Sequence, residues 1–562
     1  MQMRSNSKSA IVASALWAAY GDALGFIGEF ADARILSFRI HAQRITRTVP
    51  WRRRIGGRFG VTLALPAGCY SDDTQLRLAT SRAIRSDGHF DVEAFAKVEL
   101  PVWRAYSLGG GSSTKAAASS LTRGDVNWFS NFFSQKSNSY LDAGGNGAAM
   151  RIQPHVWAAS DPEDSRAFLT DVIRNTICSH GNPRALAGSF FHAVCLATAL
   201  SESRIPGPRS WREAVSRMSE IPDLIRQDDE LNSFWFPVWR QRSPCEMHAA
   251  LRAIQLESNE HISLIENAPG MDANSAYLQN VKSLGGFEPA TRGSGIRTAI
   301  LASALCWLFR DRPAMDALIS AANALGSDTD TIATMAGAIL GAIQNTYPEG
   351  DVADREYIIE ESSRLSEAGP RTRVKSFRYP DLMGWKPPES LIDAVGLSGG
   401  HLAFTGLGLA EAIGDRWQDS RDKTLSWQWL KLNFGQTILA RQRQTLIELP
   451  GQIGIQGRIG SQSPEIEGKP KMSRQPGSLN EHHDWAAVKK VLVSEESSLD
   501  ELTRAAIDSG FNSELIGRDL VELASRKDGV ELAVAYAAII AKARKARIRA
   551  QRRKEEGGNF SA

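Results

Sequence analysis

Between residue 10 and about residue 350 the apolar side chains recur at intervals of three and four. The clearest runs are Leu76, Ala79, Ala83 and Ile84, then Ala185, Leu186, Phe190 and Val194, then Ile300, Leu301, Ala304, Leu305 and Leu308. That spacing lays them along one face of a helix, whereas a half-buried strand alternates every second residue. Glycine and proline clusters interrupt the runs, and no regular alternation of strands with helices appears. An all-α domain is therefore expected rather than a doubly wound sheet. With 562 residues the chain has room for several domains and a large core. Its 42% hydrophobic and 23% charged content is that of a globular protein and excludes wholesale disorder.

A net charge of +3 is too small to argue for nucleic acid by itself. Cys69, Cys178, Cys195, Cys245 and Cys306 are scattered, odd in number and without a CxxC pair. They fit a reducing cytoplasm and exclude a disulfide scaffold or a zinc ribbon. No apolar run reaches the roughly 18–20 residues of a membrane helix, so no membrane partner is expected. Arg4 and Lys8 ahead of the apolar residues 10–20, with Ala13-Ser14-Ala15, imitate a signal peptide. The stretch is alanine-rich and runs straight into Gly21-Asp22-Ala23-Leu24-Gly25, so it reads as a buried first helix of a cytoplasmic protein.

Five segments follow from composition. Residues 8–370 form the main helical domain. Residues 371–450, with Trp385, Trp417, Trp427 and Trp429 among short mixed apolar runs, form a smaller appended module. Residues 451–482 are rich in Gly, Ser, Pro and Gln and read as a linker. Residues 483–545 form a small helical module, with Ser498 and Glu501 spaced as a capping box before Leu499, Leu502, Ala506 and Ile507. Residues 546–562 are a basic tail. The run from Lys542 to Lys554 contains no acid, enough to attract nucleic acid or an acidic partner weakly.

Two acidic clusters carry most of the chemistry. Ser71-Asp72-Asp73-Thr74 opens the helix bearing Leu76, and Ser327-Asp328-Thr329-Asp330-Thr331 opens the helix bearing Ile332. Each alone is explained by capping, since Ser, Thr and Asp satisfy the open N–H groups and carboxylates suit the positive helix end. Taken together, four carboxylates with hydroxyls form an all-oxygen shell that suits Mg²⁺ and not zinc. Without a cation they would repel one another. Gly144-Gly145-Asn146-Gly147 offers a loop whose N–H groups can approach an anion, or simply a tight turn. Gly109-Gly110-Gly111-Ser112-Ser113-Thr114-Lys115 lacks the ending of a P-loop, and Gly406-Leu407-Gly408 has Glu411 where a third Rossmann glycine belongs.

These residues resemble the ADP-ribosylglycohydrolase family, that of the dinitrogenase reductase–activating glycohydrolase and the ADP-ribosylhydrolases. The matches are Gly21-Asp22-Ala23-Leu24-Gly25 with Glu29; Ser71 to Thr74; Gly145-Asn146-Gly147-Ala148-Ala149-Met150-Arg151; Ser179-His180 with Pro183; and Leu325 to Ala333, continuing through Met335 to Gly341. The resemblance covers about residues 8–365. It implies a compact all-α domain with two Mg²⁺ ions, Mn²⁺ being the alternative, at the bottom of a cleft that holds ADP-ribose. By motif position it implies Ser71, Asp72, Asp73, Asp328, Asp330 and Thr331 as metal ligands and Glu29 as general acid/base. It also implies Gly145, Asn146, Gly147 and His180 as substrate-binding residues. Ser71 stands where many members have Thr, and Ser327 where Gly is usual, which adds a side chain beside the metals.

The expected reaction is removal of ADP-ribose from an ADP-ribosylated protein or other macromolecule by hydrolysis at C1″. Phe129, Phe132, Phe133 and Tyr140 are candidates to stack on adenine, though each equally reads as core. Residues 39–58 hold seven arginines and no carboxylate, read either as a solvated surface loop or as a cationic lid. Two rival readings stand beside the enzyme: an ADP-ribose-binding or structural protein of the same fold, and a nucleic-acid-associated protein acting through its basic tail. All the ligand positions retain oxygen side chains, which argues against the first.

Overall fold

The computed structural model describes residues 2–57, 60–135, 138–159, 165–267, 270–344, 346–369, 374–450, 498–526 and 529–557. The expected linker at 451–482, residues 483–497 of the helical module, residues 558–562 of the tail and Arg58 lie outside the described residues. Two compact units are present, residues 1–456 and 457–562. The first is predominantly helical, as the periodicity predicts, and carries in addition a small sheet.

Its centre is a pair of helices, Gln2–Gly28 and Thr329–Gln344, that pack on each other more extensively than any other two elements. Residues 11–28 and 329–342 are buried throughout, so neither stretch shows the polar face of a surface helix. Glycines let the backbones approach. A Cβ on Gly21 would lie 2.3 Å from the Ala333 carbonyl oxygen, and one on Gly25 2.5 Å from the Cα of Asp330. Reciprocally, a Cβ on Gly337 would meet the Trp17 carbonyl oxygen at 2.3 Å, and one on Gly341 that of Ala13 at 2.6 Å. Hydroxyls lace the pair where the backbones are close: Ser14 donates to the Ala338 carbonyl (2.7 Å), Thr334 to Ala18 (2.8 Å) and Thr329 to Gly25 (2.7 Å).

The N-terminal helix and Pro183–Glu202 correct one sequence expectation. Residues 8–28 and 183–202 are long and apolar enough to cross a membrane by length and hydropathy, yet their most apolar windows are 94% and 78% buried within the fold. Interrupting Ser, Gly and Asp residues hid the length of the run; burial on all sides explains its apolarity.

A second correction concerns residues 39–58. Residues 41–50 carry neither helix nor strand, but the remainder is not irregular throughout. After the short helix Ala33–Ile40, strands Trp51–Ile55 and Val61–Leu65 pair antiparallel, Trp51 opposite Leu65 and Ile55 opposite Val61. Gly56 and Gly57, at φ of 86° and 76°, turn the chain in the left-handed region that glycine tolerates. Trp51, Ile55, Leu63 and Leu65 are buried, while Arg52 and Arg54 face out.

Residues 371–450, set apart by sequence, contain a five-stranded antiparallel meander: Val395–Ser398, His401–Phe404, Gly408–Gln418, Leu425–Leu432 and Thr437–Arg443, paired in chain order. They belong to the same compact unit as the helices. The junction is a fully buried ion pair. Arg82 grips Glu99 with two bonds of 2.7 and 2.8 Å, donates to Gln436 Oε1 at 2.6 Å, and has Phe434 below its guanidinium. The Tyr379 hydroxyl completes Glu99 at 2.7 Å. Losing one partner of such a pair costs about 3–5 kcal/mol, because the other charge is left stranded.

In the second unit, helices Leu499–Asp508, Ser513–Ala524 and Gly529–Gly557 enclose a core of Leu499, Leu502, Ala506, Leu523, Ala535, Tyr536 and Ile540. The Ser498–Glu501 capping box is formed in both directions. The last helix carries the basic run onward to residue 557.

The helix crossing makes a prediction. Gly337→Ala presses a methyl group onto the Trp17 carbonyl, and overpacking of this kind costs about 2–3 kcal/mol. Urea unfolding should show a lowered midpoint with an unchanged slope. A wild-type midpoint would mean the helices separate freely and do not fix each other.

Candidate functional site

The two acidic clusters meet where these helices begin. Ser71 caps the helix Asp72–Ala83: its hydroxyl accepts from the Asp73 N–H (3.2 Å) and lies 3.0 Å from Asp73 Oδ2. Asp330 sits in the first turn of Thr329–Gln344. The close approach at Gly21 and Gly25 brings Asp22 between them. Its carboxylate accepts from the Ser71 N–H (2.9 Å) and the Thr74 N–H (2.8 Å), so it reads the open end of the second helix. Oxygens of Asp22, Asp73 and Asp330 all lie within 4.8 Å of one another, and all three residues are buried.

Asp72 and Asp328 flank this group and are buried too. Asn146 donates to Asp328 Oδ2 at 2.8 Å and to Thr298 at 3.2 Å. Asp72 faces the glycine run that was excluded as a P-loop: a Cβ on Gly109, at φ 103°, would lie 2.5 Å from its Oδ1. Thr331 is buried beside Asp328. Ser327 adds no ligand to the group, because its hydroxyl is turned onto the Ala324 carbonyl at 2.7 Å.

Burial raises the pKa of every one of these carboxyls. Asp72 reaches about 8, first through loss of water and then through the charges of Glu29 and Asp22, with Lys115 opposing. Asp73 and Asp330 are pushed well above the carboxylate range by burial and then by neighbouring carboxylates. For Asp22 and Asp328 burial again dominates, and hydrogen bonds from Thr74 and Asn146 respectively oppose it. Asp73 Oδ1 is buried with no partner among the described residues. An all-oxygen donor set, too crowded to ionise alone and holding an unsatisfied oxygen, fits a hard divalent cation.

Glu29 borders the same charges, since it acts on Asp72, Asp328 and Asp330. Its Oε2 is held by Arg53 of the hairpin at 2.7 Å. Arg39 donates to the carbonyls of Ile27 (2.7 Å) and Glu29 (2.9 Å), pinning the end of the N-terminal helix. The Arg53 guanidinium lies 4.1 Å from the Phe26 ring centre.

The glycine loop is partly committed. The Gly144 and Asn146 N–H groups donate to the carbonyls of Asp142 and Gly293, and Gly144 O accepts from Gly295. His180 stands beside it. Burial, then the charge of Arg151, drops its pKa to about 3, so the ring is neutral. Arg151 donates to Ser179 Oγ (2.7 Å), which leaves the Ser179 proton for His180 Nδ1 at 2.7 Å. With Ser179 donating, Nε2 carries the hydrogen; it lies 3.4 Å from where a Gly147 Cβ would stand. Thr114 Oγ1, buried and without a hydrogen-bond partner among the described residues, is 2.6 Å from the same point.

The aromatic candidates are engaged in packing, Tyr140 against Gly181 beside His180. Phe129 stacks with Phe234, Phe132 and Phe133 pack on Tyr140, and the Tyr140 hydroxyl bridges the Ile177 carbonyl and Trp235. Sequence reading left out Asp22, Arg53 and Thr114. Asp22 lay inside a quoted motif. Arg53 was signalled by the alternation of Trp51, Arg53 and Ile55, and nothing marked Thr114.

The ADP-ribosylglycohydrolase family model matches residues 3–346. YegU of Escherichia coli strain K12, described as an uncharacterized protein, is 31% identical over 198 residues, which is 35% of this chain and 49% of YegU. The chain thus spans about half the length of that curated relative. A solved structure described as an ADP-ribosylglycohydrolase-related protein complex aligns at 18% identity with a TM-score of 0.41, over 65% of this chain and all of the other.

The raised carboxyls set a pH dependence. The folded protein holds protons that the unfolded chain releases near pH 4, so without a cation the contribution of these carboxyls to stability is fullest at acidic pH. It falls as pH rises from about 4 through the Asp72 value of about 8. The buried neutral imidazoles of His155, His180 and His192 oppose this at more acidic pH, so melting temperatures measured in chelator should decline between about pH 6.5 and 8. A rise with pH over that interval would contradict the burial of ionisable carboxyls here.

Proposed function

The chain belongs to the ADP-ribosylglycohydrolase family, and on that footing we propose that it is a Mg²⁺-dependent hydrolase removing ADP-ribose from a modified macromolecule. The observation that carries this reading is the meeting of Asp22, Asp73 and Asp330 oxygens within 4.8 Å in a buried place. That much negative charge at neutral pH calls for a cation. We assign Ser71, Asp72, Asp73, Asp328, Asp330 and Thr331 to hold two ions, with Asp22 added to the set. Bound Mg²⁺ would supply Lewis acidity, fixing ribose hydroxyls and lowering the pKa of water.

The residues of the chain divide the remaining work. Asn146 holds Asp328 in position through its 2.8 Å bond. Gly145 and Gly147 keep the space beside His180 open, and the neutral His180 presents Nε2–H to ligand oxygens there. Glu29 receives a proton from the attacking water through Oε1, the oxygen that Arg53 does not engage. The water oxygen joins C1″ while the bond from C1″ to the acceptor breaks, its electron pair going to the acceptor atom. The surrounding carboxylates favour the oxocarbenium character that develops on the ribose.

Turnover of ADP-ribosylated substrates by purified protein with Mg²⁺ tests the reading. Chelation should abolish turnover reversibly, and Asp72→Ala and Asp330→Ala should lack it. Mg²⁺ should also raise the melting temperature, more at pH 8 than at pH 5. Glu29→Gln should still bind ADP-ribose by calorimetry while turnover drops by roughly 10²–10⁴. Full activity in chelator would exclude the metal assignment, and a wild-type rate for Glu29→Gln would exclude the proton transfer.

A further inference from the structure

We propose that the last helix of the second unit is a docking surface for double-stranded DNA, held through phosphate contacts along the major groove. Such binding is independent of the chemistry at the acidic site. The helix Gly529–Gly557 has two unlike halves. The first is core: Ala535, Tyr536 and Ile540 are buried with Leu499, Leu502, Ala506 and Leu523. Ala543 is the last residue of the helix described as buried. Arg547 makes its last contacts with the other two helices among the described residues. It donates to the Ile507 carbonyl at 3.5 Å, and its guanidinium lies 5.6 Å from the Phe511 ring centre. Arg544 and Arg547 are exposed, and neither pairs with a carboxylate of any described residue.

The second half has a different composition. From Arg544 to Lys554 the helix advances about 16 Å and carries seven cations and no carboxylate. Lys545, Arg549 and Arg553 follow one another at intervals of four, and Arg544 with Arg547 and Arg549 with Arg552 at intervals of three. Like charges therefore meet on successive turns, where they repel and weaken the helix. A polyanion laid along the run turns that repulsion into attraction.

The placement of the charges selects the polyanion. At 3.6 residues per turn, Lys545, Arg549, Arg552 and Arg553 occupy one side of the helix and Arg544, Arg547 and Lys554 the opposite side. Cations on both sides match phosphates on both walls of a groove, and the major groove of B-DNA, about 12 Å wide, admits a helix. The major groove of A-form RNA is deep and too narrow. A lipid surface fits poorly, because Ala546, Ile548 and Ala550 are the run's only apolar residues and an interfacial helix needs a whole apolar face. Five of the seven cations are arginines, whose forked N–H donors fit phosphate oxygens.

The test is a fluorescence-anisotropy titration of the full chain with a mixed-sequence DNA duplex of about 20 base pairs, at about 50 to 200 mM salt. The logarithm of affinity should fall against that of salt with a slope of about −5, as about five to six neutralised phosphates require. The triple variant Arg549→Gln, Arg552→Gln and Arg553→Gln changes positions beyond the last described contact with the module. It should lower the slope by about 2 to 3 and the affinity at about 100 mM salt by at least about tenfold. Duplex RNA of matched sequence should bind at least about tenfold more weakly than the DNA. Circular dichroism checks the fold of the variant; should the triple change unfold the unit, Arg552→Gln alone should lower the slope by about 1. No binding to the DNA duplex at the lowest salt overturns the proposal, as does a slope untouched by these substitutions. Binding of duplex RNA, single-stranded DNA, phosphatidylserine vesicles or polyglutamate as tight as that of the DNA duplex overturns it too.

Discussion

Two buried helices in backbone contact hold the site together. Gly21 and Gly25 on one, and Gly337 and Gly341 on the other, are each four residues apart, one helical turn, so each pair forms a smooth patch facing the partner. The contact does more than fill space. Gly25 rests on the backbone of Asp330, and one turn earlier the same helix presents Asp22. A larger residue at either glycine would change the separation of two carboxylates as directly as it would change the core. Stability and site geometry are therefore one constraint at this crossing.

Concentrating carboxylates in a dry interior is costly, and the structure offsets the cost in stages. The N-terminus of Asp72–Ala83 presents N–H groups to Asp22, and Ser71 serves Asp73 at once as cap and neighbour. Capping and membership of the acidic group are not alternatives for that cluster, since the Ser71–Asp73 turn that caps the helix also places Asp73 beside Asp22 and Asp330. Arg77 lies under the group, fixed by Thr74 and Thr334, and opposes the charge of Asp22 and Asp73. What these interactions do not offset shows as raised pKa values, and a cation is the remaining means of ionising all the carboxyls at neutral pH.

Much of this was legible in the sequence because helices announce themselves through spacing. The runs at Leu76, Ala185 and Ile300 lie in the helices Asp72–Ala83, Pro183–Glu202 and Gly295–Leu308. The acidic clusters were recognisable because they open such runs. The sheet was not, since its strands mix Trp, Arg and Gln on a half-exposed surface where alternation is weak. The arginine hairpin failed to register for a related reason: three consecutive arginines mask the inward turn of the middle one, although Trp51 and Ile55 on either side share its face. Thr114 had no signal at all, because its place beside Gly147 is made by tertiary contact alone.

The sheet is joined to the chemistry through that hairpin. A Cβ on Gly56, at the turn, would lie 3.0 Å from Trp427 of the strand Leu425–Leu432, so the sheet rests against the end of the hairpin that carries Arg53. The opposite anchor is the Arg82–Glu99 pair, whose Arg82 belongs to the helix that begins at Asp72 and reaches Gln436 in the turn before the last strand. One helix thus offers its first turn to the acidic site and its last turn to the sheet. The sheet in turn limits where the hairpin, and with it the Arg53 hold on Glu29, can lie. A tryptophan-bearing module that composition sets apart from the helical domain is, by these two contacts, part of what positions Glu29.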